Sequence, residues 1–256
     1  MKPIVNFERF QTLIEEAQTA AFTGWDFSWL SERTTEDDPP WDYKCLVCAQ
    51  LANCDSLLDM GTGGGEFLAS LTPLPKNTHA TEAYPPNRSI ARNRLEPLGI
   101  QVHPITEGEP LPFANAYFDL VINRHENYDP DDVYRVLKPE GTFITQQVGG
   151  LDNLEINQAL EDQLSFPFTN WSLVSAVTSL EEAGFIVERA ETAALKTQFA
   201  DIGALVYFLK AVSWQVPGFS VEQHKEQLVR LHNFIETHGA FVTTAHRFLI
   251  IARKEA

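Results

Sequence analysis

The sequence predicts an α/β fold, in which a mostly parallel sheet is covered by helices on both faces. Three observations predict this class. Short apolar segments alternate with helical patterns from Ser56 onwards, and a glycine-rich loop at residues 61–65 follows the first of these segments directly. The chain also has 256 residues, of which 44% are hydrophobic, and this is enough to bury the core of one large domain.

Residues 1–54 are predicted to form a helical segment ahead of the sheet. Apolar side chains recur at helical spacing over residues 6–20, which predicts an amphipathic helix. An acidic and aromatic connector follows at residues 22–43, and Pro40 can begin a second helix that runs to about Ala52. We expect this segment to act as a lid.

The strands and helices of the sheet region are predicted in alternation. The first five strands are expected at residues 56–60, 78–82, 100–104, 117–122 and 142–148, and two more at residues 185–190 and 247–253. Helices are expected from about residue 66 and over residues 86–98, 131–137 and 171–183. Because helices join successive strands, most of the strands run parallel. The core is therefore expected at residues 55–193, with a final strand at 245–256.

Charge and composition narrow the set of partners. The formal net charge is −16, which repels nucleic acid backbones and anionic membrane surfaces. No apolar run reaches the roughly 20 residues that a membrane span needs, and charged residues such as Glu8 and Arg9 interrupt any signal-peptide pattern. Three cysteines do not indicate a disulfide framework. We expect a cytoplasmic protein that does not bind membranes, and nucleic acid is disfavoured as a partner unless a local basic patch binds it.

The glycine loop at residues 61–65 is the strongest functional signal. Glycines accept positive φ angles and let a ligand approach the backbone closely, and the helix that follows offers free N–H groups. The dinucleotide fingerprint, however, requires glycine where Glu66 stands. That carboxylate would face a pyrophosphate, so NAD and FAD are disfavoured.

Acidic residues mark the ends of the first three predicted strands. Asp59 precedes the glycine loop and suits a cationic amine, whereas Glu82 can accept two hydrogen bonds from the cis-diol of a ribose. Glu107 follows the third strand and is placed to accept from an adenine amino group. Each acid alone could simply face water. Together the three predict a site for an adenosine that carries an amino-acid tail.

These residues resemble the class I S-adenosylmethionine-dependent methyltransferases. LLDMGTGGG at 57–65 is similar to the family's first motif, LPF at 111–113 with FDLV at 118–121 to its fourth-strand signature, and RVLKPEGT at 135–142 to its turn before the fifth strand. The resemblance implies a Rossmann-like, seven-stranded sheet in the order 3-2-1-4-5-7-6, with the last strand antiparallel. It also implies S-adenosyl-L-methionine as the cofactor, and we expect contacts with it from Asp59, Gly61, Thr62, Gly63, Gly65, Glu82, Ala83, Glu107 and Asn123.

Aromatic residues of the N-terminal connector provide a further candidate contact. Tyr43 is expected to stack on the adenosine or to fence the pocket, and Trp25 and Trp41 are weaker candidates for the same role. The alternative is that all three belong to the hydrophobic core.

The methyl acceptor is expected at the polar residues that leave the fourth strand, NRHENY at 123–128. His125 or Glu126 is the candidate general base for an acceptor that must lose a proton, although His125 could equally be structural. Arg124 could hold a carboxylate of the acceptor or pair with a neighbouring acid. Gln147, near the end of the fifth strand, is a second candidate for acceptor binding.

Two helical patterns lie between the sixth and seventh strands. A parallel sixth strand ends at the carboxyl edge of the sheet, and an antiparallel seventh strand begins there. Residues 194–244 are therefore predicted to form a helical cap over the acceptor pocket. The alternative is that an apolar helix of this insertion forms a homodimer surface.

The sequence thus predicts an S-adenosylmethionine-dependent methyltransferase with a small-molecule acceptor. The alternatives are a methyltransferase of a macromolecule, such as rRNA or a protein side chain, and a non-catalytic module that only binds the cofactor. No metal is expected. Cys45 and Cys48 form half of a common zinc motif, but the other ligands are missing and the two thiols are expected to face one side of a helix as small hydrophobes.

Overall fold

A computed structural model describes residues 6–22, 25–161 and 168–255 of the chain. It divides the chain into two compact units, each built from three segments. The core unit consists of Pro39–Gly149, Asn170–Ala193 and Arg247–Ala256, and the helical unit of Met1–Asp38, Gly150–Thr169 and Ala194–His246.

Five strands and five helices lie entirely within the core unit. The strands are β2 (Ser56–Met60), β3 (Asn77–Glu82), β4 (Gln101–Pro104), β5 (Phe118–Arg124) and β6 (Leu137–Val148). The helices are α2 (Tyr43–Leu51), α3 (Glu66–Ala69), α4 (Pro85–Leu95), α5 (Pro130–Val136) and α7 (Leu173–Glu182). Two long strands, β7 (Phe185–Phe199) and β8 (Phe241–Lys254), begin in one unit and end in the other.

The helical unit contains one short strand and the other α-helices of the described residues. These are α1 (Phe7–Thr19), β1 (Thr34–Glu36), α6 (Leu154–Leu160), α8 (Ile202–Ala211) and α9 (Lys225–His238). Apolar residues of α1, α6, α8 and α9 share one core. Gly203 allows α1 and α8 to approach closely, because a Cβ atom there would lie 2.7 Å from the carbonyl oxygen of Leu13. The helix α1, at Phe7–Thr19, confirms the helix predicted over residues 6–20.

The sheet of the described residues has the strand order β1-β7-β8-β6-β5-β2-β3-β4. Pairs β2–β3, β2–β5, β3–β4 and β5–β6 are parallel, and β6–β8 is antiparallel. Without β1, this is the order 3-2-1-4-5-7-6 that the resemblance implied, including the antiparallel last strand. The predicted fold class is confirmed.

The expected number of strands was wrong by one. The short strand β1 pairs antiparallel with the end of β7, where Thr34 lies opposite Phe199. This pairing was not predicted, because β7 was expected to end at Ala190 and it continues to Phe199. A three-residue strand has too short a pattern to be recognised without knowledge of its partner.

The core unit has a hydrophobic core on each face of its sheet. Leu57 and Ile122 point to the face covered by α2, α3 and α4, whereas Leu58 and Val121 point to the face covered by α5 and α7. All five residues of β2 are buried, as expected for a central parallel strand. Side chains cap several helix starts; for example, the Asp42 carboxylate accepts a hydrogen bond from the Cys45 N–H at 2.9 Å.

No helix in the described residues is both long enough and apolar enough to span a bilayer.

The first prediction concerns the glycine at the start of α3. Gly65 has φ +81°, and a Cβ atom there would lie 2.8 Å from Cγ of Leu95 in α4. We expect Gly65→Ala to lose about 1–2 kcal/mol for the left-handed backbone and a further about 1–3 kcal/mol for overpacking against Leu95. The matched control is Gly63→Ala, because Gly63 has φ +61° but no atom within 4 Å of a Cβ. Urea unfolding of both variants measures the difference, and equal losses would contradict the packing role of Gly65.

Candidate functional site

The polar residues singled out in the sequence lie at one edge of the core-unit sheet. Asp59 is next to the last residue of β2, Glu82 ends β3 and Asn123 lies near the end of β5. In the parallel register Met60 lies opposite Asn123, and Asn123 opposite Thr145 of β6. Because parallel strands point their carboxyl ends to the same edge, the topology brings these residues together.

The glycine loop is held against the end of β3 by hydrogen bonds. The N–H of Thr62 donates to the carbonyl oxygen of Thr81 at 2.9 Å. The N–H of Gly63 donates to one oxygen of the Glu82 carboxylate at 2.7 Å, and the N–H of Tyr84 to the other, also at 2.7 Å. Glu82 therefore orders the loop, and each of its oxygens keeps one lone pair for a ligand.

Glu126 packs directly against the first glycine of the loop. A Cβ atom at Gly61, whose φ is +65°, would lie 2.5 Å from Cβ of Glu126 and 2.6 Å from its Oε2. Any side chain at Gly61 would therefore displace Glu126. The sequence showed that a glycine stands here, but only the fold shows that the residue it accommodates is Glu126.

The site gathers acidic residues with raised pKa values. Asp59 and Glu82 are only 5% and 3% exposed. Burial raises the pKa of Asp59 to about 7, and the charge of Glu82 contributes in the same direction. Burial also raises the pKa of Glu126 to about 7, with further contributions from Glu82 and Glu107. Burial raises the pKa of Glu82 as well, although the N–H groups of Tyr84 and Gly63 oppose this shift.

Arg124 is a cation close enough to Asp59 for its charge to affect the pKa of that residue. Its guanidinium lies over the ring of Phe67, 4.8 Å from the centroid, and its charge lowers the pKa of Asp59 against the larger effect of burial. Arg124 is exposed, and it makes no ion pair within 4.0 Å to any residue that the structure describes. It is therefore available to bind an anionic group of a ligand.

Asn123 carries a buried hydrogen-bond donor without a partner. Its Oδ1 accepts from Nε2 of Gln147 at 2.7 Å and lies 3.3 Å from the Thr145 hydroxyl. Its Nδ2 is buried and makes no hydrogen bond to any described residue. An unpaired buried donor costs about 1–3 kcal/mol, so a ligand that accepts from Nδ2 would recover that cost. The amide nitrogen of Gln147, which has two hydrogens to donate, lies within hydrogen-bond distance of Asn123 Oδ1, the Thr145 hydroxyl and the carbonyl oxygen of Glu126, which places Gln147 among the internal contacts of this cluster.

His125 has an unusual backbone conformation and a perturbed imidazole. Its φ is +68°, and its main-chain N–H donates to the carbonyl oxygen of Gln146 at 2.8 Å. The surrounding protein lowers the pKa of His125, and the charges of Arg247 and Arg124 add to that effect. The residue as a whole is nevertheless exposed. His125 is therefore a neutral imidazole at physiological pH.

Comparison with known proteins agrees with this architecture. Residues 58–145 match the family model described as a methyltransferase domain. The structure is similar to that of a putative methyltransferase from Bacillus halodurans C-125, at 19% identity and a TM-score of 0.59, covering 83% of this chain and 97% of that chain. It is also similar to the YcgJ protein from Bacillus subtilis, at 17% identity and a TM-score of 0.58, covering 84% and 98%. Residues 58–145 therefore match a methyltransferase domain, and the chain shares the fold of these two solved structures.

This fold does not by itself specify the reaction. The [4+2]-cyclase SpnF shares it at 14% identity and a TM-score of 0.50, covering 96% of this chain and 93% of that chain. No curated protein matches the sequence significantly. The reaction therefore depends on the side chains of the site and not on the fold alone.

Tyr43 and Arg88 lie outside the glycine loop and hold the backbone near the strand ends that form the site. The Tyr43 hydroxyl lies 3.0 Å from the carbonyl oxygen of Asn123 and 3.3 Å from that of Ile144, and burial raises its pKa. Arg88, which the sequence analysis did not single out, donates to the carbonyl oxygens of Ala83 at 2.6 Å and Ile105 at 2.8 Å. Its position in α4, shortly after Glu82 at the end of β3, is the sequence feature from which its contact with this strand end could have been predicted. The stacking of Tyr43 on a cofactor stays a prediction.

The cysteines of α2 are exposed, and the expectation that they pack as small hydrophobes was wrong. Cys45 and Cys48 face solvent because Tyr43 and Val47 take the buried positions of this helix. Among the described residues, no group of three or more His, Cys, Asp or Glu side chains is placed to hold a metal ion.

The second prediction is a pH dependence of stability. The pKa of Glu126 is raised in the folded state, so the folded protein holds this proton more tightly than the unfolded chain does. Stability from this group is fully present below the unfolded pKa near 4.3 and is lost as the pH rises towards 7. We expect Glu126→Gln to be more stable than the parent protein by about 1–3 kcal/mol at pH 8, since one pKa unit corresponds to about 1.4 kcal/mol.

Thermal melting across the pH range measures this effect. The gain should vanish near pH 4.5, and the exposed control Glu109→Gln should show no gain at either pH. A pH-independent gain in Glu126→Gln would contradict a perturbed carboxyl group.

Proposed function

We propose that this chain is an enzyme that transfers the methyl group of S-adenosyl-L-methionine to a small-molecule acceptor. The observation that carries the proposal is the set of carboxylates around the glycine loop, the buried Asp59 and Glu82 and the half-buried Glu126, whose pKa values are all raised. Mutual repulsion of these groups favours a positively charged ligand. When bound, S-adenosyl-L-methionine supplies a methyl group on a positively charged sulfur, and its tail carries an ammonium group.

The donors and acceptors of the site fit this cofactor. Glu82 has acceptor capacity for the ribose hydroxyls, and Glu107 is an exposed acceptor beyond β4 for the adenine amino group. Asp59 can accept from the ammonium group. The Nδ2 of Asn123 and the guanidinium of Arg124 are donors for the carboxylate of the methionine tail. The space around Gly63 is open.

Glu126 is the best candidate for a general base. A base is most effective when its pKa lies near the working pH, and the pKa of Glu126 is raised to about 7. Its side chain lies against Gly61, beside the expected methionine tail. Arg124 is the candidate for positioning an anionic acceptor, in which case Asn123 alone would serve the methionine carboxylate. Alignment of the acceptor with the methyl group supplies the rest of the rate enhancement.

A small acceptor is favoured over a nucleic acid by charge. The chain carries a net charge of −16, and the site itself is acidic, so a phosphate backbone would be repelled. A protein side chain as acceptor, and cofactor binding without catalysis, are distinguished from this proposal by the two experiments that follow.

The third prediction tests cofactor binding. We expect S-adenosylmethionine and its demethylated product to raise the melting temperature, and NAD and ATP to leave it unchanged. At 100 times the dissociation constant, the gain in unfolding free energy is about 2.7 kcal/mol. Glu82→Ala should weaken binding about tenfold or more, because it removes charge-assisted hydrogen bonds.

The matched control is Glu66→Ala. Glu66 also follows the glycine loop, but it pairs with Arg94, so its removal should leave the affinity unchanged. Stabilisation by NAD instead of S-adenosylmethionine, or unchanged affinity in Glu82→Ala, would refute the proposed site.

The fourth prediction tests catalysis. With a labelled methyl group on the cofactor, we expect label to enter a low-molecular-weight acceptor from a metabolite pool. Glu126→Gln should reduce kcat about 100-fold or more for an acceptor that must lose a proton, and Glu109→Gln should not. Label in protein or RNA would assign a macromolecular acceptor, and cofactor binding without transfer to any pool would favour the non-catalytic module.

A further inference from the structure

Trp41 fixes the orientation of a buried glutamine amide at the end of β6. Its indole N–H donates to Oε1 of Gln146 at 2.7 Å, and the two residues are 6% and 9% exposed. An indole nitrogen can only donate a hydrogen bond. The amide must therefore present its oxygen, and not its nitrogen, to Trp41.

This orientation of Gln146 determines which nitrogen of His125 carries the proton. With its oxygen on Trp41, the amide nitrogen of Gln146 lies 3.1 Å from Nε2 of His125. An amide nitrogen is also only a donor, so Nε2 of His125 must accept. A neutral imidazole whose Nε2 accepts carries its proton on Nδ1.

The opposite arrangement forms fewer hydrogen bonds. If the Gln146 amide were rotated by half a turn, its NH2 group would face the indole N–H, and two donors would meet in a buried position. The rotated amide would gain a bond from Nε2–H of His125 but would leave the buried indole donor unpaired, at a cost of about 1–3 kcal/mol. The arrangement seen in the structure satisfies both contacts.

The backbone and the nearby charges support the same state. The main-chain N–H of His125 donates to the carbonyl oxygen of Gln146, so both the ring and the backbone are held by one residue. The charged groups that act on the imidazole, Arg247 and Arg124, are both cations and disfavour a second proton.

We infer that Trp41 and Gln146 are positioning residues, which hold His125 as the neutral Nδ1–H tautomer and make it a hydrogen-bond donor, not a proton acceptor, in its site. The expectation that His125 is a general base is thereby replaced. The consequence for methyl transfer, that Glu126 is left as the base, rests on the function proposed above. The tautomer itself does not depend on that function.

Nuclear magnetic resonance of ligand-free protein labelled with ¹⁵N-histidine tests the inference directly. Long-range proton–nitrogen correlations distinguish a protonated ring nitrogen from an unprotonated one, and the signals of His125 are those that disappear in His125→Asn. We expect a protonated Nδ1 and an unprotonated Nε2 between about pH 5 and 8, the range in which an ordinary histidine titrates.

Two variants test the roles of the positioning residues. Gln146→Glu replaces the amide donor with an acceptor, so it should move the proton to Nε2 and raise the pKa of His125 by at least about one unit. Gln50→Glu, which adds the same charge at an exposed position of α2, should change neither. Trp41→Phe removes the indole donor and should produce a mixture of both tautomers, whereas Trp171→Phe should not.

The wild-type spectrum alone can overturn the inference, even if a variant fails to fold. A protonated Nε2, or a His125 that titrates near its ordinary pKa, would refute it. Because no cofactor or acceptor is present, this outcome is independent of whether the chain binds S-adenosylmethionine.

Discussion

The burial of several carboxylates at one sheet edge is the constraint on which the site depends. Parallel strands direct Asp59 and Glu82 to neighbouring positions, and the loop after β5 brings Glu126 onto Gly61. Buried ionised carboxylates are costly unless they are paired or hydrogen-bonded. The fold offsets part of this cost with the N–H groups of Gly63 and Tyr84 on Glu82. It provides Arg124 near Asp59, but that cation does not form an ion pair with the acids. The site therefore retains negative charge that a cationic ligand can neutralise.

Two glycines of the loop leave room for different neighbouring side chains, and only one of these neighbours is a site residue. At Gly61 the absent side chain leaves room for Glu126, and at Gly65 it leaves room for Leu95 of α4. The first contact sets the electrostatics of the site, and the second sets the packing of the helix that begins there. A sequence motif reports both requirements as one pattern, so the residues of the loop cannot be assigned to ligand binding as a group.

The sequence predicted the features that depend on local residue patterns. It did not predict the features that depend on contacts between residues far apart in the chain. The mostly parallel sheet followed from the alternation of strands and helices, and the strand order from the family resemblance. The site acids followed from their positions after strands. By contrast, β1 and the extension of β7 depend on pairing between Thr34 and Phe199, which no local pattern shows. The hydrogen bond from Trp41 to Gln146 joins residues 105 positions apart. The protonation state that we infer for His125 depends on that bond, and residue type alone left both a general base and a structural role open for this histidine.

Arg124, which ends β5, and the two residues after it differ in how their charge responds to a ligand. Arg124 is always a cation, and His125 is held neutral by its surroundings. Glu126 owes part of its raised pKa to the charges of Glu82 and Glu107. A cationic ligand at the acids opposes that contribution, so binding lowers the pKa of Glu126 and favours its ionised form. On the proposed function, the base is therefore protonated in much of the free protein and becomes ionised when the cofactor is bound. The same charge repulsion that lowers the stability of the free site thus couples cofactor binding to the activation of the base.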